Sequence, residues 1–404
     1  MASNQSPRGN AVIGQSGGPT AVINQSLVGV VEGLRGKPMV EKILGAHHAV
    51  AGIVKNDFIE LQDLSQDKLD RVAKTPSAAL GSSRDKPDAD YCKKIFDAFE
   101  KNNVRYFFYI GGNDSSDTCR IVQEQAAANN YELHAFHVPK TIDNDLVLND
   151  HTPGFGSAAK FVAQAFMGDN LDNKALPGIK IDVVMGRHAG FLTAASMLGR
   201  KYEDDGPHLV YVPEVPFSIE QFQKDVEATY KRLSRCLIAV SEGIHDEHGT
   251  PIAVKLAEKD GNVERDAHGN PQLSGTGALG DYLSKAVKEH LGPKTRVRAD
   301  TFGYLQRCFA GCVSPTDAAE ARAAGRCAAE LATSGETSGS IAIQRVSDSP
   351  YKVEYKHIKL TDVAAKTQVL DKKYIVNDNN ISDEFKKYLG PIVGELPDVE
   401  SLTN

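Results

Sequence analysis

The chain has 404 residues, 41% hydrophobic and 25% charged, with a formal net charge of −7. That is enough apolar material for two or three domains with full-sized cores, and it excludes a disordered chain. The acidic balance excludes a generally basic nucleic-acid binder. No apolar run approaches the roughly 18 residues of a membrane helix, so no membrane partner is expected. The polar start MASNQSPRGN lacks the apolar core of a signal peptide. Cysteines stand at 92, 119, 236, 308, 312 and 327, and none forms a CxxC pair. Reduced, structural thiols and a cytoplasmic location are the expectation.

In chain order, residues 1–10 read as a loose tail. An apolar run at 11–14 enters the glycine turn Gln15-Ser16-Gly17-Gly18-Pro19-Thr20, and helix-periodic apolar residues follow over 21–34. A strand rich in aromatic and β-branched residues, VRYFFYI, spans 104–110 and breaks at Gly111-Gly112. Further strands are predicted at 135–138, 179–185 and 237–240, each ending in a polar cluster. Ser314-Pro315-Thr316-Asp317 reads as an N-cap with a first-turn proline and an acid at the third helical position, opening a helix to about 331 that stops near Gly335. Strands at 340–346 and 352–360 follow. Strands alternating with helices predict α/β architecture with parallel sheets, whose ligands bind beyond the carboxyl ends of the strands.

The clusters at those ends carry the chemistry. The Gly17-Gly18 turn exposes backbone N–H groups before a helix, which suits an anion, and it equally suits a plain strand-to-helix turn. It matches neither GxxxxGK[ST] nor GxGxxG. Gly111-Gly112-Asn113-Asp114-Ser115 lets backbone approach a ligand closely, or simply caps a helix. Pro139-Lys140-Thr141-Ile142-Asp143-Asn144-Asp145 gathers a cation, a hydroxyl and two carboxylates. On an extended segment Asp143 and Asp145 face one side. Such a pair can hold Mg²⁺, or use one member as a base. Met185-Gly186-Arg187-His188 offers a guanidinium and an imidazole. Ser241-Glu242-Gly243 and Gly303-Tyr304-Leu305-Gln306-Arg307 add a carboxylate, a phenol, an amide and a second guanidinium, and Arg84 follows a glycine in Leu80-Gly81-Ser82-Ser83. Gly154-Phe155-Gly156-Ser157 only superficially suggests a dinucleotide turn and reads as a helix start, since no strand precedes it.

Taken in order, SGGPTAVIN (16–24), GGNDS (111–115), PKTIDND (139–145), MGRHAG (185–190), PEVPF (213–217), SEG (241–243) and GYLQR (303–307) resemble the 6-phosphofructokinase family over roughly residues 11–345. The resemblance implies two doubly wound α/β domains with mainly parallel sheets and an active site in the cleft between them. It implies an N-terminal, donor-binding domain over 1–155, completed by about 306–350. The sugar-phosphate domain would cover 156–305, completed by about 351–404. It makes Asp143 the base that takes the C1 hydroxyl proton of fructose 6-phosphate, flanked by Thr141 and Ile142, with Asp145 near a Mg²⁺ ion. Met185, Gly186, Arg187 and Glu242 match sugar-binding positions. Tyr304 and Arg307, with Leu305 and Gln306 between them, match the 6-phosphate segment, and Arg298 a further phosphate-binding arginine. Gly17 and Arg84 fall on the donor side. Asn113 stands where family members usually carry a metal-linked aspartate; its amide oxygen can still serve Mg²⁺ directly or through water. A homodimer or homotetramer is implied.

Two positions speak to the phosphoryl donor. ATP-using members typically have glycine at the positions of Asp114 and Lys140, so this pair resembles the diphosphate-using branch and adds both residues to the catalytic set. A carboxylate at 114 occupies the room of the α-phosphate of ATP. At ~4 Å and an effective dielectric of about 20 the like-charge contact costs roughly 4 kcal/mol, about a thousandfold in affinity. Lys140 places positive charge where the transferred and leaving groups build negative charge. The expected reaction is diphosphate plus fructose 6-phosphate giving phosphate plus fructose 1,6-bisphosphate. An ATP-dependent member of the family, or a sugar-phosphate-sensing subunit without catalysis, is the alternative.

Overall fold

In a computed structural model of the chain, residues 6–85, 87–259, 277–400 and 402 are described. The chain forms two compact units, Met1–Ser157 with Arg307–Gln368, and Ala158–Gln306 with Val369–Asn404. In chain order the strands are β1 (Gly9–Gln15), β2 (Val40–Ala46), β3 (Phe58–Glu60), β4 (Val104–Gly111), β5 (His134–Pro139), β6 (Ile179–Val184), β7 (Leu209–Tyr211), β8 (Cys236–Ser241), β9 (Val297–Thr301), β10 (Ser338–Asp348), β11 (Tyr351–Ile358), β12 (Ile375–Val376) and β13 (Asn380–Ile381).

The first unit is built on a seven-stranded sheet in the order β11-β10-β5-β4-β1-β2-β3. Its five inner strands are parallel, while β11 and β3 run antiparallel at the edges. The central strand β4 explains why helices cover both faces. Tyr106, Phe108 and Ile110 alternate with Phe107 and Tyr109, and all are buried. The first set packs with the helices Ile23–Leu34 and Pro315–Thr333; the second packs with Val50–Lys55, Ala89–Lys101 and Asn113–Ala128. Burying each such side chain stabilises by about 1.5–3 kcal/mol. The Ser314 hydroxyl caps its helix by accepting from the Asp317 N–H at 3.2 Å, as the Ser-Pro-Thr-Asp spacing predicts. The Asp317 carboxylate in turn accepts from the backbone N–H groups of Gly154 and Ser157, both at 2.8 Å, at the start of the helix Phe155–Ala175.

The second unit has a four-stranded, all-parallel sheet in the order β7-β8-β6-β9. Ile179, Ile181 and Val183 of β6 share a core with Ile238 and Val240 of β8 and with the helices Ile219–Leu233 and Ala278–Leu291. The helix Asp383–Val393 belongs to this unit and buries Phe385, Leu389, Ile392 and Val393. Both units are α/β, as the alternation of strands and helices predicts. No helix among the described residues is long and apolar enough to cross a membrane.

Two expectations are corrected. Residues 351–368 belong with the first unit, not the second, because β11 forms an antiparallel hairpin with β10 and cannot part from it. The tail is also shorter than expected: β1 begins at Gly9, and the Tyr106 hydroxyl donates to the Pro7 carbonyl at 2.5 Å. Residues 1–5 lie outside the described residues.

Candidate active site

In the first unit, three parallel strands end side by side. β1 leads into Gly17-Gly18, β4 into Gly111-Gly112 and β5 into Lys140. Gly17 has φ 73°, in the left-handed region that favours glycine. Its N–H donates to the Ser83 carbonyl at 2.8 Å, which lays the segment bearing Arg84 alongside the turn. A Cβ on Gly18 would stand 2.5 Å from the Arg307 guanidinium, so bare backbone is what lets that cation approach. The Lys140 ammonium is buried and donates to the Gly18 carbonyl at 2.8 Å. Burial and the Arg307 charge lower its pKa to about 8, although Asp143 and Asp145 pull the other way.

Asn113 and Asp114 open the helix Asn113–Ala128, and Asp114 is exposed in its first turn. The Asn113 amide donates to the Asp145 carboxylate at 3.5 Å. Its own carbonyl oxygen is buried without a hydrogen-bond partner among the described residues. Burial raises the Asp145 pKa to about 7, and the neighbouring Asp143 carboxylate adds to the shift.

The extended geometry expected for Asp143 and Asp145 is corrected. Asn144 between them has φ 59°, so the segment turns there. The turn is pinned from three directions. The Asn144 side-chain oxygen accepts from the Thr152 N–H at 2.9 Å, and Gln368 donates from its side chain to the Asn144 carbonyl at 3.0 Å and from its backbone to the Asp145 carbonyl at 2.8 Å. The Thr141 hydroxyl accepts from the Asp143 N–H at 3.1 Å. Thr141 thus belongs to the frame of this loop, and Ile142 beside it is buried. Gly17, Arg84, Asn113, Asp114, Lys140, Asp143, Asp145 and Arg307 all lie in one unit, and Lys140 and Asp145 feel the charges of the ionisable members.

In the second unit, Met185-Gly186-Arg187 follows β6 and Glu242 follows β8, its neighbour in the sheet. The Ser241 hydroxyl donates to the Gly186 carbonyl at 2.6 Å, and the Glu242 N–H to the Val184 carbonyl at 2.9 Å, so the two strand ends are tied. Tyr304 and Leu305 are exposed, whereas Gln306 is 1% exposed. The Gln306 amide donates to the Gly303 carbonyl at 2.9 Å, and its oxygen accepts from the Met185 N–H at 3.3 Å. Gln306 therefore braces Met185, while Tyr304 and Leu305 face outwards. Arg298 is not gathered with these groups. It pairs in register with Lys180, roughly 16 Å along the strand from Met185, and lines a shallow groove with Arg296.

Sequence reasoning missed Glu214 of the PEVPF segment. Its carboxylate accepts from the N–H groups of Gly190 and Leu370, both at 2.8 Å, and shapes the loop after Arg187. It also missed an acidic cluster in the second unit, Asp169, Asp182 and Asp300, whose carboxylate oxygens lie within 4.8 Å of one another. The Lys180 ammonium bridges Asp169 at 2.6 Å and Asp300 at 3.1 Å, so the cluster carries its own cation.

The phosphofructokinase family model matches residues 10–332. The chain belongs to the phosphofructokinase family. A pyrophosphate–fructose 6-phosphate 1-phosphotransferase of Rhodospirillum rubrum is 56% identical over 397 residues, covering 98% of this chain and 97% of that protein. One of the same description from Halomonas elongata is 37% identical, covering 95% and 91%. The crystal structure of a pyrophosphate-dependent phosphofructokinase from Marinobacter aquaeolei superposes on this phosphofructokinase with a TM-score of 0.84 at 31% identity, covering 97% and 94% of the two chains.

Proposed function

We propose that this phosphofructokinase transfers a phosphoryl group from diphosphate to the C1 hydroxyl of D-fructose 6-phosphate, giving D-fructose 1,6-bisphosphate and phosphate. The observation that carries the reading is a carboxylate and an ammonium on neighbouring strand-end turns of the donor side, after β4 and β5. Asp114 stands in the first turn of the helix that follows Gly111-Gly112, and Lys140 is buried against Gly18. The relatives described as acting on diphosphate and fructose 6-phosphate support it.

The carboxylate at 114 keeps out a nucleotide's α-phosphate, while diphosphate has no third phosphate to clash. Lys140, Arg84 and Arg307 supply positive charge to donor oxygens. Phosphoryl transfer depends mostly on such positioning and electrostatic stabilisation. Asp143 accepts the C1 proton as the sugar oxygen attacks phosphorus in line. An oxygen–phosphorus bond forms, the bridging phosphorus–oxygen bond breaks, and orthophosphate leaves. The residues present also suit a hard cation, because the Asn113 carbonyl oxygen is an unpartnered buried acceptor beside the Asp145 carboxylate. When bound there, Mg²⁺ would offset the charge of the donor oxygens. Met185, Gly186, Arg187, Glu242 and Tyr304 of the second unit take the sugar phosphate. Because the leaving group is another phosphate, the reaction runs readily in both directions. A cytoplasmic location, supported by six free cysteines, four of them buried, and a homo-oligomeric state complete the proposal.

The deciding experiment compares diphosphate with ATP as donor, using purified protein, fructose 6-phosphate and Mg²⁺. Turnover with diphosphate and none with ATP is expected. Brisk use of ATP with diphosphate inert would overturn the reading, and sugar-phosphate binding without turnover by either donor would mark a sensor.

A further inference from the structure

We propose that His137 is a positioning residue for the phosphoryl donor: its imidazole, anchored at its other nitrogen by Ser340, fixes the turn from which Asn113 and Asp114 project. This rests on the donor reading above. His137 sits within β5 between Tyr109 of β4 and Ser340 of β10, and it is 1% exposed. Its Nε2 lies 2.8 Å from the Gly111 carbonyl oxygen. A carbonyl only accepts, so Nε2 carries the hydrogen. Its Nδ1 lies 2.8 Å from the Ser340 hydroxyl. In a neutral ring that nitrogen accepts, and the serine is the donor. Burial, with the Lys140 charge, lowers the His137 pKa to about 4, which keeps the ring neutral.

The Gly111 carbonyl also accepts from the Lys140 N–H at 2.9 Å. One oxygen therefore ties the end of β4 both to the imidazole and to the backbone of Lys140. Two residues later the helix Asn113–Ala128 begins, with Gly112 at its N-cap. The carboxylate and the ammonium that discriminate between donors thus hang from a single carbonyl whose direction His137 sets. A buried position within a strand ordinarily takes a β-branched or aromatic hydrocarbon. A polar ring there is tolerated because both nitrogens are bonded, and one of those bonds ends on the donor turn.

The test uses His137→Phe, which keeps a ring and removes both hydrogen bonds, together with Ser340→Ala and Ser340→Thr. The readouts are kcat, separate KM values for diphosphate and fructose 6-phosphate, and Tm. His137→Phe is expected to lower kcat/KM for diphosphate by about tenfold or more, with the sugar KM within about twofold of wild type. Ser340→Ala should move the same constant by a smaller factor, and Ser340→Thr should restore it. An unchanged diphosphate constant in the folded variants, or donor and sugar constants falling together with Tm, would overturn the proposal. If His137→Phe does not fold, the Ser340 pair decides alone. If the wild-type protein uses ATP and not diphosphate, the donor reading falls, and the same split measured with ATP decides the role of His137.

Discussion

Asp143 and Asp145 are separated by one left-handed residue, and Asp143 helps to hold the Asp145 carboxyl near neutrality. Like charges this close do not both ionise freely. Replacing Asp143 by Ser should lower kcat by about 10²–10⁴-fold, the usual worth of a positioned base, while calorimetry finds fructose 6-phosphate binding little changed. Normal turnover in that variant would remove the base assignment. The double change Asp114→Gly with Lys140→Gly should admit ATP and weaken diphosphate, read as opposite movements of the two donor KM values. Failure of ATP to react would mean that other residues also exclude it. Both motifs were legible in the sequence because each packs its chemistry into a few consecutive positions after a strand. The handedness of Asn144 was not, because it is imposed by contacts from Thr152, 8 residues on, and from Gln368, 224 residues on. Nor was the approach of Arg307 to Gly18 and Lys140, which depends on a segment some 170 residues beyond the PKTIDND loop folding back beside the donor turn.

At the level of elements, the aromatic and β-branched runs of β4, β6 and β8 announce themselves, since both faces of those strands are largely covered. β2 and β9 do not. Glu41 and Lys42 of β2 are exposed, and β9 reads VRADT with Arg298 and Asp300 on its open face. The link between the loop after β5 and the helix Pro315–Thr333 was equally invisible. There His151 is buried between Asp150, at 2.7 Å, and Glu320, which also accepts from the Tyr351 hydroxyl at 2.7 Å. Burial alone would depress His151, but hydrogen bonds to the two carboxylates outweigh it and raise its pKa to about 9 from 6.5. A raised pKa means the stabilisation is fully present below pH 6.5 and is lost as pH climbs through 9. Its loss amounts to about 3 kcal/mol. Thermal melts should show Tm falling across that window, and His151→Gln should lower Tm at pH 6 while flattening the slope. A second expectation concerns the crossing of the helices Ile23–Leu34 and Pro315–Thr333. A Cβ on Gly33 would lie 2.6 Å from the Ala329 methyl. Gly33→Leu should therefore destabilise by about 1–3 kcal/mol in denaturant titration, through overpacking. An unchanged midpoint would show that the helices can part without cost.

For the molecule as a whole, the chain passes between its two units after residues 157, 306 and 368, so each unit is assembled from separated segments. The alternation of strands and helices made the α/β class readable. The assignment of 351–368 was not, because the partner of β11 is decided by a tight hairpin. Ending the chain after Gln368 should unfold the second unit, because it removes the helix bearing Phe385, Leu389, Ile392 and Val393 and the Asn379 carbonyl that accepts from the Val210 N–H at 2.8 Å. Loss of one cooperative transition in calorimetry is the expected sign, and an intact transition would contradict it. Segment order also governs biogenesis. β5 finds its outer neighbour only when β10 arrives. At about 5–20 residues per second, translating the roughly 200 positions from Pro139 to Ser338 takes about 10–40 s. For that interval the newborn polypeptide carries a bare strand flank, an edge open to pairing with a neighbouring chain until β10 covers it.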